Sequence, residues 1–168
     1  CDCVLRWTEG VRATLAGEVV AIDGKALRRA TNRGTASALP YVVSAWSADN
    51  GLVLGQVKVD DKSNEITAIP ALLRELQLAG CIVTIDAMGC QKKIAREIVE
   101  ADADYVLALK GNHETVHSEV KAYFDDAISR WQANPDASEL DFFETSEKDH
   151  GRIETRRFWQ SDKVAWFA

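Results

Sequence analysis

Nowhere in the 168 residues does an apolar run approach the ~20 needed to cross a bilayer; the longest are strand-length. The opening Cys1-Asp2-Cys3 supplies no basic leader, so no secretory signal is expected and the reading is no membrane. Methionine is nearly missing as well. Met88 is the only one, and a chain that begins without an initiator and stops at Trp166-Phe167-Ala168 reads as a fragment of a longer protein. None of the four cysteines (Cys1, Cys3, Cys81, Cys90) forms a CxxC pair, so reduced thiols in a cytosolic protein are expected over metal or disulfide use. Three prolines, 10 glycines, 46% hydrophobic and 27% charged residues exclude collagen, low-complexity fibre and disorder. Positive charge is in deficit, with 20 Lys and Arg against 26 Asp and Glu, a net charge of −6 that argues against simple electrostatic adhesion to nucleic acid. The deficit is local, however. Residues 112–150 hold ten acids and three bases, and the remainder is near neutral with basic clusters that a polyanion could meet.

What is present is an alternation of strand and helix signals. Residues 18–23 and 81–86 are short apolar runs that each end in an acid, as buried strands do. Runs at 41–48 and 52–59 flank Asp49-Asn50-Gly51, a hairpin signal that predicts a type I′ turn with positive φ at both central residues. Helical spacing of Ile66, Ile69, Leu72, Leu73 and Leu76 predicts a helix begun at Thr67, with Pro70 in its first turn and Gly80 as a stop. A second helix is expected over 91–101 with Ile94, Ile98 and Val99 on one face, then a buried strand over 105–109. A long amphipathic helix at 113–131 is broken by Asn134-Pro135-Asp136, and two strands follow at 140–145 and 153–160. This order predicts an α/β fold: one mixed sheet with an antiparallel three-strand start, then parallel strands, and helices on both faces.

Asp23 and Asp86 carry the chemical interest. Each ends an apolar strand before a glycine-bearing turn, Asp23-Gly24-Lys25 and Asp86-Ala87-Met88-Gly89. Neighbouring strand ends would bring the two carboxylates together at one edge. Their mutual repulsion is relieved by a hard divalent cation, Mg²⁺ or Mn²⁺ rather than zinc. On spacing alone the alternative stays open that these aspartates merely begin turns or cap helices. Lys25, Arg28, Arg29 and Arg33 follow the first acid, and Lys92, Lys93 and Arg96 the second. A metal site bordered by such cations suits a phosphodiester backbone.

Five segments resemble bacterial insertion-sequence transposases of the DDE type, more narrowly the H-repeat-associated family. They are Ala21-Ile22-Asp23-Gly24-Lys25; Gly55-Gln56-Val57-Lys58; Lys62-Ser63-Asn64-Glu65-Ile66-Thr67-Ala68-Ile69-Pro70; Thr84-Ile85-Asp86-Ala87-Met88-Gly89-Cys90-Gln91; and Tyr105-Val106-Leu107-Ala108-Leu109-Lys110-Gly111-Asn112. The resemblance spans about residues 20–160. It implies an RNase H-like catalytic core at 17–135, after an N-terminal flank at 1–16, with 136–168 the start of a β-rich insertion. It also implies two Asp and one Glu holding two Mg²⁺ ions, one activating the attacking water or 3′-OH and the other stabilising the leaving oxygen. Asp23 and Asp86 match the two family aspartates. Glu154, in His150-Gly151-Arg152-Ile153-Glu154, is the candidate within this chain for the third carboxylate. Its strand-like surroundings leave open a glutamate further downstream than this chain extends, with Arg152, Arg156 and Arg157 as DNA-backbone contacts. On that reading the fragment keeps two-thirds of the site and is inactive alone. The implied partner is double-stranded DNA, at transposon ends and target, in the bacterial cytoplasm at the nucleoid. A homodimer is left open.

Other readings remain. The chain would be a degenerate remnant that binds DNA without chemistry, or a metallohydrolase. For the latter, His113-Glu114-Thr115-Val116-His117 fits a His-Glu-x-x-His zinc pattern, with Glu139, Glu144, Glu147 or His150 as third ligand. Asn112 and His113 otherwise read as a strand-to-helix turn and cap. Trp7, Trp46, Trp131, Trp159 and Trp166 are assigned to packing over base stacking.

Overall fold

A computed structural model describes residues 17–26, 41–59, 65–137, 139–149, 151–163 and 165. The chain divides into two compact units, Cys1–Asn112 and His113–Ala168, each taken by itself below.

The first unit is built on a five-stranded sheet. Its strands are β1 (Val19–Ala26), β2 (Tyr41–Ser47), β3 (Leu52–Val59), β4 (Ile82–Ile85) and β5 (Asp104–Leu107), in the order β3-β2-β1-β4-β5. β3, β2 and β1 are mutually antiparallel, and β4 and β5 join in parallel. This is the mixed sheet, antiparallel at its start and parallel after, that the sequence predicts. Alternation decides the faces. Val20, Ile22, Val43, Ala45, Val83 and Ile85 point into one core, and each buried Val or Ile contributes about 1.5–3 kcal/mol relative to exposure. Helices α1 (Glu65–Glu75) and α2 (Lys92–Glu100) close that core with Ile69, Leu72, Ile94 and Ile98. The fit is tight at Gly55, where a Cβ would stand 3.1 Å from Leu72 Cδ1 and 3.2 Å from Leu76 Cδ2, so β3 admits α1 because it carries no side chain there.

Several expectations are corrected in detail. Only Gly51 has positive φ in the β2–β3 loop, so the turn is not type I′; Gly51 N donates to Ser47 O at 3.0 Å across a longer loop. Pro70 lies past the first turn of α1, where its missing N–H leaves a gap in the ladder. Val99 of α2 is exposed beside buried Ile94 and Ile98. β5 forms a sheet margin among the described residues, and Tyr105 and Val106 are exposed rather than buried.

The second unit comprises α3 (Glu114–Ala133) and a two-stranded sheet of β6 (Asp141–Asp149) and β7 (Arg152–Gln160). Trp131 of α3 packs on Phe142, with ring centroids 4.5 Å apart, and meets Trp159 edge-on at 6.0 Å. Tyr123 Oη and Ser161 Oγ are 2.8 Å apart, a second tie between helix and hairpin. These three rings act in packing, as the sequence reading assigned Trp131 and Trp159. Trp7, Trp166, Cys1, Cys3, Arg28, Arg29, Arg33 and His150 lie outside the described residues. No helix among the described residues is long and apolar enough to cross a membrane.

Candidate active site

The parallel pairing of β1 with β4 ends at Ile22↔Ile85. Asp23 and Asp86 are the residues that follow this last pair, Asp23 still within β1 and Asp86 just past the end of β4. Because Ile22 and Ile85 face the core, alternation turns Asp23 to the opposite, solvent face, where its side chain is 62% exposed. Asp23 does not end its strand, as the sequence suggested. β1 runs on to Ala26 against β2, pairing Asp23 with Ser44, Gly24 with Val43 and Lys25 with Val42. The residue marks the place where β1 parts from β4 while staying with β2.

A polar row crosses the sheet at this level. Asp23 pairs with Ser44, and Ser44 with Gln56, whose Nε2 donates to Ser44 Oγ at 3.0 Å. The next row on the same face, two residues on, contains Lys25, Val42 and Lys58. Lys25 Nζ lies 3.7 Å from Asp23 Oδ2, a surface contact of small energetic weight that nevertheless sets a cation beside the carboxylate. Ser44 went unmarked in the sequence reading, and Gln56 and Lys58 entered it only within the Gly55-Gln56-Val57-Lys58 match, without a role. Only the strand register joins them to Asp23.

Asp86 is held differently. It caps a short 3₁₀ turn (Ala87–Gly89), its Oδ1 accepting Met88 N at 3.0 Å, while its carbonyl accepts Gly89 N at 3.0 Å. Ala87 and Gly89 are buried. At Gly89 a Cβ would fall 2.2 Å from Ile85 Cγ2. Asn112, from the far side of β5, donates Nδ2 to Ala87 O at 2.7 Å. The capping role foreseen for Asp86 is present, and that cap engages one carboxylate oxygen, Oδ1. Lys92 and Lys93 follow within the first turn of α2, exposed, and neither has an ion-pair partner among the described residues. Lysines at a helix N-terminus oppose the helix dipole, and the two positive sources together favour an anion.

Glu154 stands on β7, in the second unit. Arg156 Nη2 donates to its Oε2 at 2.7 Å and also faces Glu147 at 3.5 Å, while Arg157 is bound to Glu144 at 2.7 Å. The hairpin arginines thus have carboxylate partners within the hairpin; Arg152 has none among the described residues. His113 caps α3 without a side-chain cap bond, and its Nε2 is buried without a partner. Among the described residues no three His, Cys, Asp or Glu side chains gather as a metal site. The zinc reading of His113 and His117 therefore lacks its third ligand there, and Asp23 with Asp86 make a pair rather than a complete set.

The profile of the transposase DDE domain family matches residues 15–165, and the chain belongs to that family. An uncharacterised protein from the dhlA 3′ region of Xanthobacter autotrophicus is 45% identical over 157 residues, covering 92% of this chain and 50% of that protein. YncI of Escherichia coli K12 is 44% identical over 153 residues, 90% of this chain and 59% of the relative. The H repeat-associated protein YhhI of the same strain is 41% identical over 155 residues, 92% and 39% respectively. The chain therefore spans about half the length of these curated relatives. Among solved structures, a piggyBac transposase synaptic complex with hairpin DNA aligns with 57% of this chain and 24% of that one, at 11% identity and a TM-score of 0.42.

Proposed function

We propose that the first unit carries two of the three carboxylates of a metal-dependent DNA transposase that cleaves phosphodiesters at transposon ends and transfers the strands. The observation that supports this most is the register: Asp23 and Asp86 each follow immediately after the last β1–β4 pair, Ile22↔Ile85. Two carboxylate ligands suit Mg²⁺ or Mn²⁺, which fill the rest of their shell with water and substrate phosphate oxygens. When bound, two such ions would supply charge neutralisation and an activated oxygen for in-line displacement. Asp23 and Asp86 hold negative charge on the solvent face of the sheet. Lys25, Lys92 and Lys93, together with Arg28 and Arg29, neutralise the approaching backbone of double-stranded DNA, a role that carries no sequence information. Glu154 is bound to Arg156 in the hairpin. We therefore place the third carboxylate beyond this chain and Arg152, with Arg156 and Arg157, on the DNA side of a β-rich insertion begun at 136–168.

The test is nicking of supercoiled plasmid in Mg²⁺ or Mn²⁺ by the complete protein. Asp23→Asn and Asp86→Asn should each abolish it, Glu154→Gln should not, and the 168-residue chain alone should be inactive. Metal-dependent cleavage by the isolated chain that disappears in Glu154→Ala overturns the assignment of the third carboxylate. Full activity in both aspartate variants overturns the site itself.

A further inference from the structure

Asp86 sits on a three-residue 3₁₀ turn, a conformation with poor internal hydrogen-bond geometry that needs outside support to be rigid. Two supports are local, the bond from Met88 N to its own carboxylate and the packing of Gly89 on Ile85. The third comes from 25 residues away. Asn112 Nδ2 donates to Ala87 O at 2.7 Å, whereas the turn's own bond to that carbonyl, from Cys90 N, is long at 3.3 Å. Ala87 is only 8% exposed, so without Asn112 its carbonyl would be poorly satisfied in a nearly buried place. Asparagines in turns commonly bond their own neighbourhood. This one spans from the segment after β5 to the turn after β4, and its amide takes no part in capping α3, where His113 occupies the cap position.

We propose that Asn112 is a positioning residue for the Asp86 carboxylate: it fixes the Ala87 carbonyl and so the turn that aims Asp86 across at Asp23. The proposal rests on the reading of Asp23 and Asp86 as metal ligands. Groups behind a ligand, when removed, typically weaken metal affinity about 10–100-fold.

The experiment uses the 168-residue chain, with Mn²⁺ alone as probe in calorimetric titration and amide hydrogen exchange in the metal-free protein. The variants are Asn112→Ala, Asn112→Leu (similar shape, no donor) and Asp86→Asn. Exchange at Met88 and Gly89 should quicken about fivefold in both Asn112 variants, the effect of one lost hydrogen bond, while β2 and β3 keep their protection. Their Mn²⁺ affinity should fall about 10-fold or more at unchanged stoichiometry. Unchanged exchange overturns the proposal without reference to metal. Faster exchange with wild-type Mn²⁺ affinity also overturns it, provided Asp86→Asn removes binding, because the bond is then structural only. If Asp86→Asn itself leaves Mn²⁺ binding intact, the metal-site reading fails, and the role assigned to Asn112 fails with it.

Discussion

Gly89→Ala is the substitution whose cost follows most directly from the geometry. The added Cβ would lie 2.2 Å from Ile85 Cγ2, 3.1 Å from Ile85 Cβ and 3.4 Å from Ile69 Cδ1. Ile85 has little room to yield. It is β-branched, 5% exposed, and anchored in β4 between β1 and β5. Restoring a carbon contact of about 3.5 Å means that the Ala87–Gly89 turn lifts by roughly 1 Å. Overpacking of this kind costs about 1–3 kcal/mol, which for a domain of this size lowers the melting temperature by about 2–12 °C. Gly111→Ala is the internal control. Nothing lies within 4 Å of its Cβ, and its φ is not in the left-handed region, so the change should stay within about 0.5 kcal/mol. Urea titration of both variants, followed by circular dichroism, separates them. Because the lifted turn carries Asp86, Gly89→Ala should also weaken Mn²⁺ binding where Gly111→Ala does not. A Gly89→Ala protein as stable as its parent would refute the packing argument.

Glu18 is 2% exposed and accepts hydrogen bonds from Ser47 Oγ and, at 3.0 Å, from Asn50 Nδ2, tying the β2–β3 loop to the start of β1. Glu18→Ala should cost about 2 kcal/mol in urea unfolding by stranding the buried Ser47 hydroxyl, and Glu18→Gln should recover part of this, since its carbonyl still accepts. Trp131→Ala should cost the second unit about 3 kcal/mol. A lone two-stranded sheet has little stability of its own, so hydrogen exchange should quicken along β6 and β7 and not in β1–β5. Burial first, and the Glu18 carboxylate second, push the Cys81 thiol above its ordinary value. The folded chain then keeps a proton that the unfolded chain releases. This contribution is whole below about pH 8.5, the ordinary thiol value, and is lost as pH rises through the folded value. Cys81→Val should flatten the alkaline decline in stability, measured by urea midpoint from pH 8 to 10.

Patterns that repeat within a few residues were legible. The alternation of Val20 and Ile22, and of Val83 and Ile85, marked two central strands, and Asn50-Gly51 marked the hairpin though not its turn type. What depended on a distant partner was not. Tyr105-Val106-Leu107 looks like a buried run, but only the sheet order reveals it as a margin among the described residues. Glu18 only opens the apolar run 18–23 in the sequence, and its buried carboxylate is bonded by Ser47 and Asn50, 29 and 32 residues away. The two halves of the site divide along the same line. Asp86 has local reasons for its place, a backbone bond two residues on and a glycine that must pack on Ile85 four residues back. The motif Asp86-Ala87-Met88-Gly89 is therefore written into one short segment. Asp23 has no such local reason. Its neighbours continue as strand, and it comes one residue past the last β1–β4 pair only because the two strands are in register at Ile22↔Ile85. A one-residue slip of that register would turn Asp23 into the core and Ile22 to solvent, a double penalty that the packing of Val20, Ile22, Val83 and Ile85 opposes. The hydrophobic core thus sets the level of the first carboxylate as firmly as the turn sets the second.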